Sequence, residues 1–223
     1  MADPPKRSDR AASYVRAMIT SGRFRPGDSV RPEAVGEALG ISATPAREAL
    51  QTLRVEGFLD WHRNRGFVVA PLTGSDIADV FEVQALVAGE LAARAAERAT
   101  RDEVAELTAL HHELIAAATR QEAVALGDKN FEFHREINRI AASPKLSWSL
   151  GLLVRYVPDR FYGEIPGWPA ATVHDHGRVM DAISSGDAAE ARSAMTEHIR
   201  NAGKLLAAHF DGLSRAAVRD GGS

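Results

Sequence analysis

The stretch GISATPAREALQTLRVEGFL, residues 40–59, decides the fold of the first third of the chain. Apolar side chains recur along it at helical spacing, and Gly57 marks the predicted end of the helix. Ser42 is the predicted N-cap. Pro45 is tolerated in the first turn, because first-turn amides have no intrahelical partner. We therefore predict a helix over residues 43–56.

Two helices are predicted before this one and a β-hairpin after it. Helical spacing predicts a first helix over residues 9–20, and PEAVGEALG, residues 32–40, predicts a short second helix. The stretch FLDWHRNRGFVVAPL, residues 58–72, places two β-favouring runs around Arg63-Asn64-Arg65-Gly66, which is typical of a hairpin. Three helices and then a hairpin are the order of a winged helix-turn-helix, whose third helix can enter a major groove.

The chain from residue 73 onward is predicted to be helical. A capping box starting at Thr100, and several prolines and glycines, divide it into helices ending near residues 99, 142, 157, 185 and 212. The predicted fold class is mainly α: an N-terminal winged helix-turn-helix, then an all-α bundle of about six or seven helices. The predicted divisions are a disordered lead (1–8), a DNA-binding domain (9–72), an effector-binding and dimerisation domain (73–215) and a flexible tail (216–223).

Composition narrows the class of protein. The 223 residues contain no cysteine, which excludes disulfides and thiolate metal sites and favours the cytoplasm. No apolar run is long enough to cross a membrane, and the N-terminus has no signal-peptide pattern, so no membrane partner is expected. Residues 1–74 carry 11 Lys and Arg against 8 Asp and Glu, whereas the remainder carries 16 against 22. The front part of the chain (residues 1–74) is therefore basic and the back part (the remainder) is acidic, which suggests that only the front part binds a polyanion.

The predicted third helix has a polar face suited to DNA. Its candidates follow one another at spacings of three or four: Thr44, Arg47, Gln51 and Arg54. Such side chains suit phosphate oxygens and base edges, although a solvated helix face explains them as well. Arg63 and Arg65 in the hairpin turn favour DNA, because arginines on a wing suit minor-groove or phosphate contact.

Three predicted helices of the back part each place one histidine in an otherwise apolar stripe. These histidines are His134, His176 and His198, and Asn130 precedes the first by one turn. One such residue is usually a satisfied core histidine, but burying three unpaired imidazoles would be costly. A shared metal ion or a wet polar pocket resolves that cost, and neutral imidazoles favour zinc or nickel. The remaining histidines are interpreted as surface, accessory or isolated residues: His62, His111, His112, His174 and His209.

Residues 9–72 resemble the winged-helix domain of the GntR family of bacterial transcription regulators. The matching residues are Gly22, Pro26-Gly27, Leu39-Gly40-Ile41-Ser42, Thr44-Pro45, Arg47-Glu48-Ala49-Leu50, Leu53, Glu56-Gly57 and Arg65-Gly66. The resemblance implies that Thr44, Arg47, Arg63 and Gly66 contact operator DNA. The family usually has an arginine that reads a guanine where this chain has Ala43. The operator is therefore expected to differ at that base.

Residues 76–213 resemble the all-helical FCD domain of the FadR-like branch of that family. The matching residues are Phe133-His134, Ile137, His176, Ile183, Gly186-Asp187, Ala191 and His198. The resemblance implies a divalent metal ion held by Asn130, His134, His176 and His198, with open positions for a small carboxylate effector. Most metal-binding members have aspartate at position 130, so the amide predicts a lower metal affinity.

The effector contacts are less well defined by the resemblance. The first helix of the domain typically carries an R-x-x-x-E pattern, but this chain has Gln84 and Ala88 in those places. Gln84, Arg135 and Arg155 are therefore the candidate effector-binding residues, with Arg160 as a further possibility.

The sequence thus predicts a homodimeric, effector-controlled regulator that binds a near-palindromic operator and is not an enzyme. The alternative from another class is a metal-dependent enzyme that acts on small organic acids and carries a DNA-binding module. No general base or nucleophile accompanies the histidines in sequence, apart from the single carboxylate of Asp175, which can equally orient a ligand. A third alternative is a metal-free bundle that binds a fatty-acyl ligand, and the three histidines argue against it.

Overall fold

A computed structural model describes residues 6–156, 162 and 165–220, with side chains described as far as residue 212. The chain divides into two compact units. One, here called the front unit, comprises the residues up to Thr73 together with those from Phe210 onward. The other, the back unit, comprises Gly74–His209. No helix in the described part of the chain is long and apolar enough to cross a membrane.

The front unit has the predicted order of three helices and a hairpin, with one additional short strand. Its elements are α1 (Arg7–Thr20), β1 (Ser29–Val30), α2 (Pro32–Leu39), α3 (Ala43–Val55), β2 (Leu59–His62) and β3 (Gly66–Val69). The strands form one antiparallel sheet in the order β1-β3-β2, in which Trp61 of β2 pairs with Phe67 of β3. The winged helix-turn-helix prediction is confirmed.

The turn between α2 and α3 depends on two glycines. Gly40 has a φ of 64°, a left-handed conformation that ends α2 and that glycine adopts without a Cβ penalty. A Cβ on Gly36 would lie 2.7 Å from the carbonyl oxygen of Ile41, so a side chain there would force the turn open. These glycines fix the angle at which α3 leaves α2.

A buried ion pair joins α1 to α3. The Arg16 guanidinium donates to both carboxylate oxygens of Glu56, at 2.9 and 3.0 Å. The Arg16 side chain is only 7% exposed and that of Glu56 20%. Helix α3 also buries Ala46, Ala49, Leu50 and Leu53. The opposite face of α3 is thereby left to solvent.

The back unit contains six described helices and one short 3-10 helix. These are α4 (Gly74–Arg98), α5 (Arg101–Thr119), α6 (Ala123–Ile140), α7 (Pro144–Leu153), the 3-10 helix (Val154–Tyr156), α8 (Trp168–Ser185) and α9 (Ala188–Asp220). Helix α9 belongs to this unit as far as His209, and its residues from Phe210 onward belong to the front unit. Thr100 and Glu103 form the predicted capping box of α5, and Asp187 accepts a hydrogen bond from the amide of Glu190 at the start of α9. The all-α prediction is confirmed.

Helices α4 and α9 approach each other closely. A Cβ on Gly203 of α9 would lie 2.6 Å from the Cβ of Phe81 on α4. Arg192 of α9 also pairs with Glu90 of α4 at 2.7 Å. Glycine at position 203 therefore allows α9 to pack directly against the aromatic ring, which lies beside the cavity described below.

Several predicted element boundaries are wrong. Helix α1 begins at Arg7, inside the segment predicted as a disordered lead, and α9 continues to Asp220, past the predicted end and into the predicted tail. Ser42 occupies the N-cap position of α3, but its side chain makes no capping hydrogen bond. Strand β1 was not predicted from the sequence, because two residues are too few to show an alternating pattern.

Candidate functional site

The exposed face of α3 carries the predicted DNA-contacting residues of that helix. Thr44, Arg47 and Gln51 are all exposed, opposite the buried face that packs in the core of the front unit. The Arg47 guanidinium lies 3.6 Å from the carboxylate of Glu33 on α2, and both side chains are more than half exposed. An exposed pair of this kind is weak, so a phosphate oxygen can replace Glu33 as the partner of Arg47.

The hairpin turn holds the other predicted DNA-contacting residues. Arg63 and Arg65 are exposed between β2 and β3, and Gly66 has a φ of 71°, which allows the tight reversal. The Arg65 guanidinium donates to the carbonyl oxygen of Gly27, in the loop before β1. Arg65 is thus tied to its own unit, whereas the contacts found among the described residues include none of this kind for the exposed Arg63.

The three predicted metal-binding histidines of the back unit converge. His134 comes from α6, His176 from α8 and His198 from α9. The Nε2 atom of His198 lies 3.2 Å from that of His176 and 3.3 Å from that of His134. One nitrogen from each ring lies within 4.8 Å of the other two. The sequence could not show this convergence, which depends on the packing of three helices.

Asn130 supplies an oxygen near this group. It lies one turn before His134 on α6, and its Oδ1 atom is buried and has no hydrogen-bond partner within the described part of the chain. An unpaired buried carbonyl oxygen is costly unless something else satisfies it. Asn130 and His134 both line the same cavity, described below.

Asp175 and Asn201 lie behind His198. One carboxylate oxygen of Asp175 is 3.5 Å from Nδ1 of His198 and accepts a hydrogen bond from the Asn201 amide at 3.2 Å. The other oxygen lies 3.1 Å from Nδ1 of His174. Hydrogen bonding to His198, together with His174 and Asn201, holds the pKa of Asp175 well below its usual range. Asp175 therefore remains a carboxylate and directs Nε2 of His198 toward the other two imidazoles.

Burial keeps two of the imidazoles uncharged. It lowers the pKa of His134 to about 3, with a smaller contribution from His198, and it lowers the pKa of His176 well below its usual value. Phe133 stacks on the His176 ring at a centroid distance of 4.3 Å and fixes its plane. Neutral imidazoles have a free nitrogen lone pair, which is the form that binds a metal ion.

A cavity of about 450 Å³ opens beside the histidines and is lined by residues of α4, α6, α7, α8 and α9. His134 and His198 belong to its wall, as do the candidate effector-binding residues Gln84 and Arg135. Arg155 is exposed on the 3-10 helix and is not among the described lining residues. Arg160 lies outside the described residues.

Sequence reasoning missed several neighbours of the histidines. Asn201 gave no signal, and Phe133 was noted only as part of the family resemblance, because their contacts here depend on packing between helices. His111, interpreted as a surface or accessory residue, is half-buried, with its ring centroid 6.3 Å from that of His176. Adjacent histidines on a helix point in different directions, and here His111 is the one that faces inward while His112 is exposed.

Comparison with known proteins identifies both parts of the chain. Residues 7–69 match the family of bacterial regulatory proteins named gntR, and residues 79–201, more than half of the chain, match the FCD domain. The solved structure of E. coli McbR/YncC superposes with a TM-score of 0.70 and 21% sequence identity, over 91% of this chain and 98% of that one. This similarity supports the fold.

Two relatives are named as regulators. The Nta operon transcriptional regulator of Aminobacter aminovorans is 37% identical over 90 residues, which are 40% of this chain and 43% of that protein. The probable D-xylose utilization operon transcriptional repressor of Paenarthrobacter nicotinovorans is 27% identical over 95% of this chain and 93% of that protein. The alternative of a metal-dependent enzyme is not supported, because the matched families and these relatives are regulators. The chain belongs to the GntR family of bacterial regulatory proteins, in the branch that carries an FCD domain.

Proposed function

We propose that this protein is a transcription regulator whose affinity for operator DNA is set by a metal-assisted effector site in the back unit. The observation that carries the proposal is the convergence of three imidazole nitrogens, 3.2 and 3.3 Å apart, two of which belong to the cavity-lining residues His134 and His198. The exposed Thr44, Arg47 and Gln51 supply the DNA-binding surface in the same chain. The family membership supports this combination.

The operator contacts are divided between α3 and the hairpin. Thr44, Arg47 and Gln51 are proposed to contact base edges and phosphates in the major groove. Arg63 and Arg65, turned by Gly66, are proposed to contact the adjacent backbone or minor groove. Ala43 has no side chain able to read a guanine, so the operator is proposed to differ at that base from those of relatives with arginine there.

The spacing of the histidines fits a divalent metal ion. Zinc binds imidazole nitrogen at about 2.0–2.1 Å, which places two tetrahedral ligands about 3.3 Å apart. The two Nε2 separations match that distance. The unpaired Oδ1 of Asn130 is proposed as the fourth protein ligand. Three imidazole nitrogens and one amide oxygen favour zinc or nickel over magnesium or calcium, which prefer oxygen ligands.

The cavity is proposed to bind a carboxylate effector. When bound, the metal would supply a Lewis acid that could take a carboxylate oxygen as a further ligand beyond the four protein groups. Gln84 and Arg135, both in the cavity wall, are proposed to contact the effector. The effector controls DNA binding only if its affinity differs between the operator-bound and operator-free states.

The regulator is proposed to act as a cytoplasmic homodimer, since two recognition helices one turn of DNA apart require a two-fold assembly.

Large apolar side chains on two neighbouring helices of the back unit support a protein interface. Leu86 on α4 is 59% exposed and Trp148 on α7 is 64% exposed. Leu86→Glu is expected to shift the protein toward monomer in light scattering, whereas Val124→Glu, at an exposed position on α6, is expected to leave the mass unchanged. Equal masses for the two variants would contradict this interface.

The test of the function is fluorescence anisotropy with DNA from the region upstream of the protein's own gene. Sequence-specific binding that weakens as salt rises, and that changes when zinc and a small carboxylate are added together, would support the proposal. Binding that is equal for scrambled DNA, or that is indifferent to both additions across a carboxylate panel, would contradict it.

A further inference from the structure

We propose that the effector cavity selects a carboxylate with an apolar, ring-sized body over one with a hydroxylated body such as a sugar acid. This inference rests on the proposed effector function and names the class of ligand. It follows from how polar and apolar side chains are distributed around the cavity wall, and from the contacts that already occupy the polar ones.

Most of the wall is apolar and comes from helices other than α6. Helix α4 contributes Phe81 and Ala88, α8 contributes Trp168, and α9 contributes Met195 and Ile199. Phe81, Trp168 and Met195 are almost fully buried, so they form a fixed surface. A cavity of about 450 Å³ with such walls is large enough for a ring-sized body.

The polar groups concentrate along one helix. Asn130, His134 and Asn138 follow one another at four-residue spacing on α6 and all line the cavity. His198 of α9 adds its imidazole to that side, since its Nε2 is 3.3 Å from that of His134. The wall therefore has a polar end that suits a ligand head and an apolar remainder that suits a ligand body.

The charge of the wall favours an anionic head. The described lining residues include Arg135 and Arg139 and no aspartate or glutamate. Arg139 already pairs with Glu136 and Glu103, whereas the Arg135 guanidinium lies over the Phe131 ring at 5.9 Å from its centroid. Arg135 is thus the arginine of the two that is placed to attract a carboxylate toward the histidines.

A hydroxylated body would find too few partners on the other walls. The Gln84 amide nitrogen already donates to the carbonyl oxygen of Leu153 at 3.3 Å. Beyond Gln84, the described polar side chains on these walls are Ser147 and Tyr162. Each hydroxyl buried without a hydrogen bond loses its interaction with water, whereas an apolar ring gains from leaving water. The cavity therefore discriminates between two ligands that share the same head.

The experiment is isothermal titration calorimetry of the zinc-supplemented full chain with 3-phenylpropanoate, gluconate and 3-phenylpropanamide. The first two share a carboxylate and differ in the body, while the first and third share the body and differ in the head. We expect 3-phenylpropanoate to bind at least about tenfold more tightly than either of the others.

Two cavity variants test the apolar wall. Phe131→Gln, at a half-exposed cavity position, and Ile199→Gln are expected to lower the affinity for 3-phenylpropanoate alone. Val124→Gln, exposed and outside the cavity lining, is the matched control.

Each outcome decides the inference. Gluconate binding as tightly as 3-phenylpropanoate, no binding by either, or equal effects of the cavity and control variants would overturn it. Failure of the proposed function is distinguishable, because calorimetry requires no DNA. If 3-phenylpropanoate binds selectively but never changes operator affinity, the selectivity stands and the control of DNA binding fails. If gluconate binds tightly and changes operator affinity, the function stands and the selectivity fails.

Discussion

The two units of this chain place their polar side chains in opposite ways. In the front unit, the candidate functional residues Arg47 and Arg63 are exposed, and the buried pair of Arg16 and Glu56 is structural. In the back unit, the candidate functional residues His176 and His198 are buried, whereas pairs such as Arg192 with Glu90 lie at the surface. A macromolecular ligand needs an accessible surface, and a small ligand needs an enclosed site that excludes water.

This difference shows when a buried polar group indicates a functional site. A buried charge that is fully paired, like Arg16, needs no ligand to explain it. The buried imidazole nitrogens lie 3.2 and 3.3 Å apart, and both Nδ1 of His176 and Oδ1 of Asn130 lack a hydrogen-bond partner among the described residues. The arrangement in the back unit therefore points to a ligand, and that in the front unit to stability.

The largest expected effect distinguishes the buried ion pair of the front unit from an exposed ion pair of the back unit. Arg16→Met removes a guanidinium that is only 7% exposed and pairs with the Glu56 carboxylate, and it is expected to cost about 3 kcal/mol of unfolding free energy. Arg192→Met removes a pair whose side chains are 50% and 35% exposed, so its cost is expected to stay below about 1 kcal/mol. Urea unfolding of both variants measures the difference. Similar costs would mean that burial does not distinguish these pairs.

A smaller effect, on zinc affinity, is expected from substitution of Asp175 next to His198. Asp175→Asn keeps the shape of the side chain but removes the negative charge that faces Nδ1 of His198. We expect zinc affinity to fall by roughly 10–100-fold in competition titrations with a chelating dye. Asp181→Asn, at an exposed position of the same helix, should leave the affinity unchanged. An unchanged affinity in Asp175→Asn would show that the carboxylate does not position His198.

The smallest effect is expected at the exposed DNA-binding face. Arg47→Ala removes one guanidinium whose present partner, Glu33, is 3.6 Å away at the surface. Operator affinity is expected to fall about tenfold, with a shallower dependence on salt if the contact is to phosphate. Arg101→Ala, exposed at the start of α5, provides the control in the same anisotropy measurement. Equal losses in the two variants would indicate only a general effect of positive charge.

The sequence predicted the elements well where a local pattern determines them. Helix α3, the hairpin around Arg63–Gly66 and the capping box at Thr100 all follow from spacing or from turn chemistry within a few residues. Strand β1 could not be predicted, because its two residues are in a strand only through pairing with the distant β3. The end of α9 was also missed, because the predicted end coincides with Gly212, whereas the helix continues through that glycine to Asp220.

The candidate site was predictable in its residues but not in its geometry. Helical stripes identified His134, His176 and His198, because an inward-facing histidine stands out among apolar neighbours. Their approach to within 3.3 Å, and the contact of Asn201 with Asp175, depend on how separate helices pack. The shape of the cavity likewise depends on close packing, such as that of Gly203 against Phe81. No spacing along one helix contains that information.

The most direct test of the central claim is the metal content of the full chain purified without chelator and supplemented with zinc. Elemental analysis and calorimetry are predicted to give about one ion per chain for the native protein. The same stoichiometry is predicted for His112→Ala, which removes an exposed histidine, whereas His134→Ala should lose tight binding. A native protein that binds no zinc, or a His134→Ala variant with unchanged stoichiometry and affinity, would contradict the account.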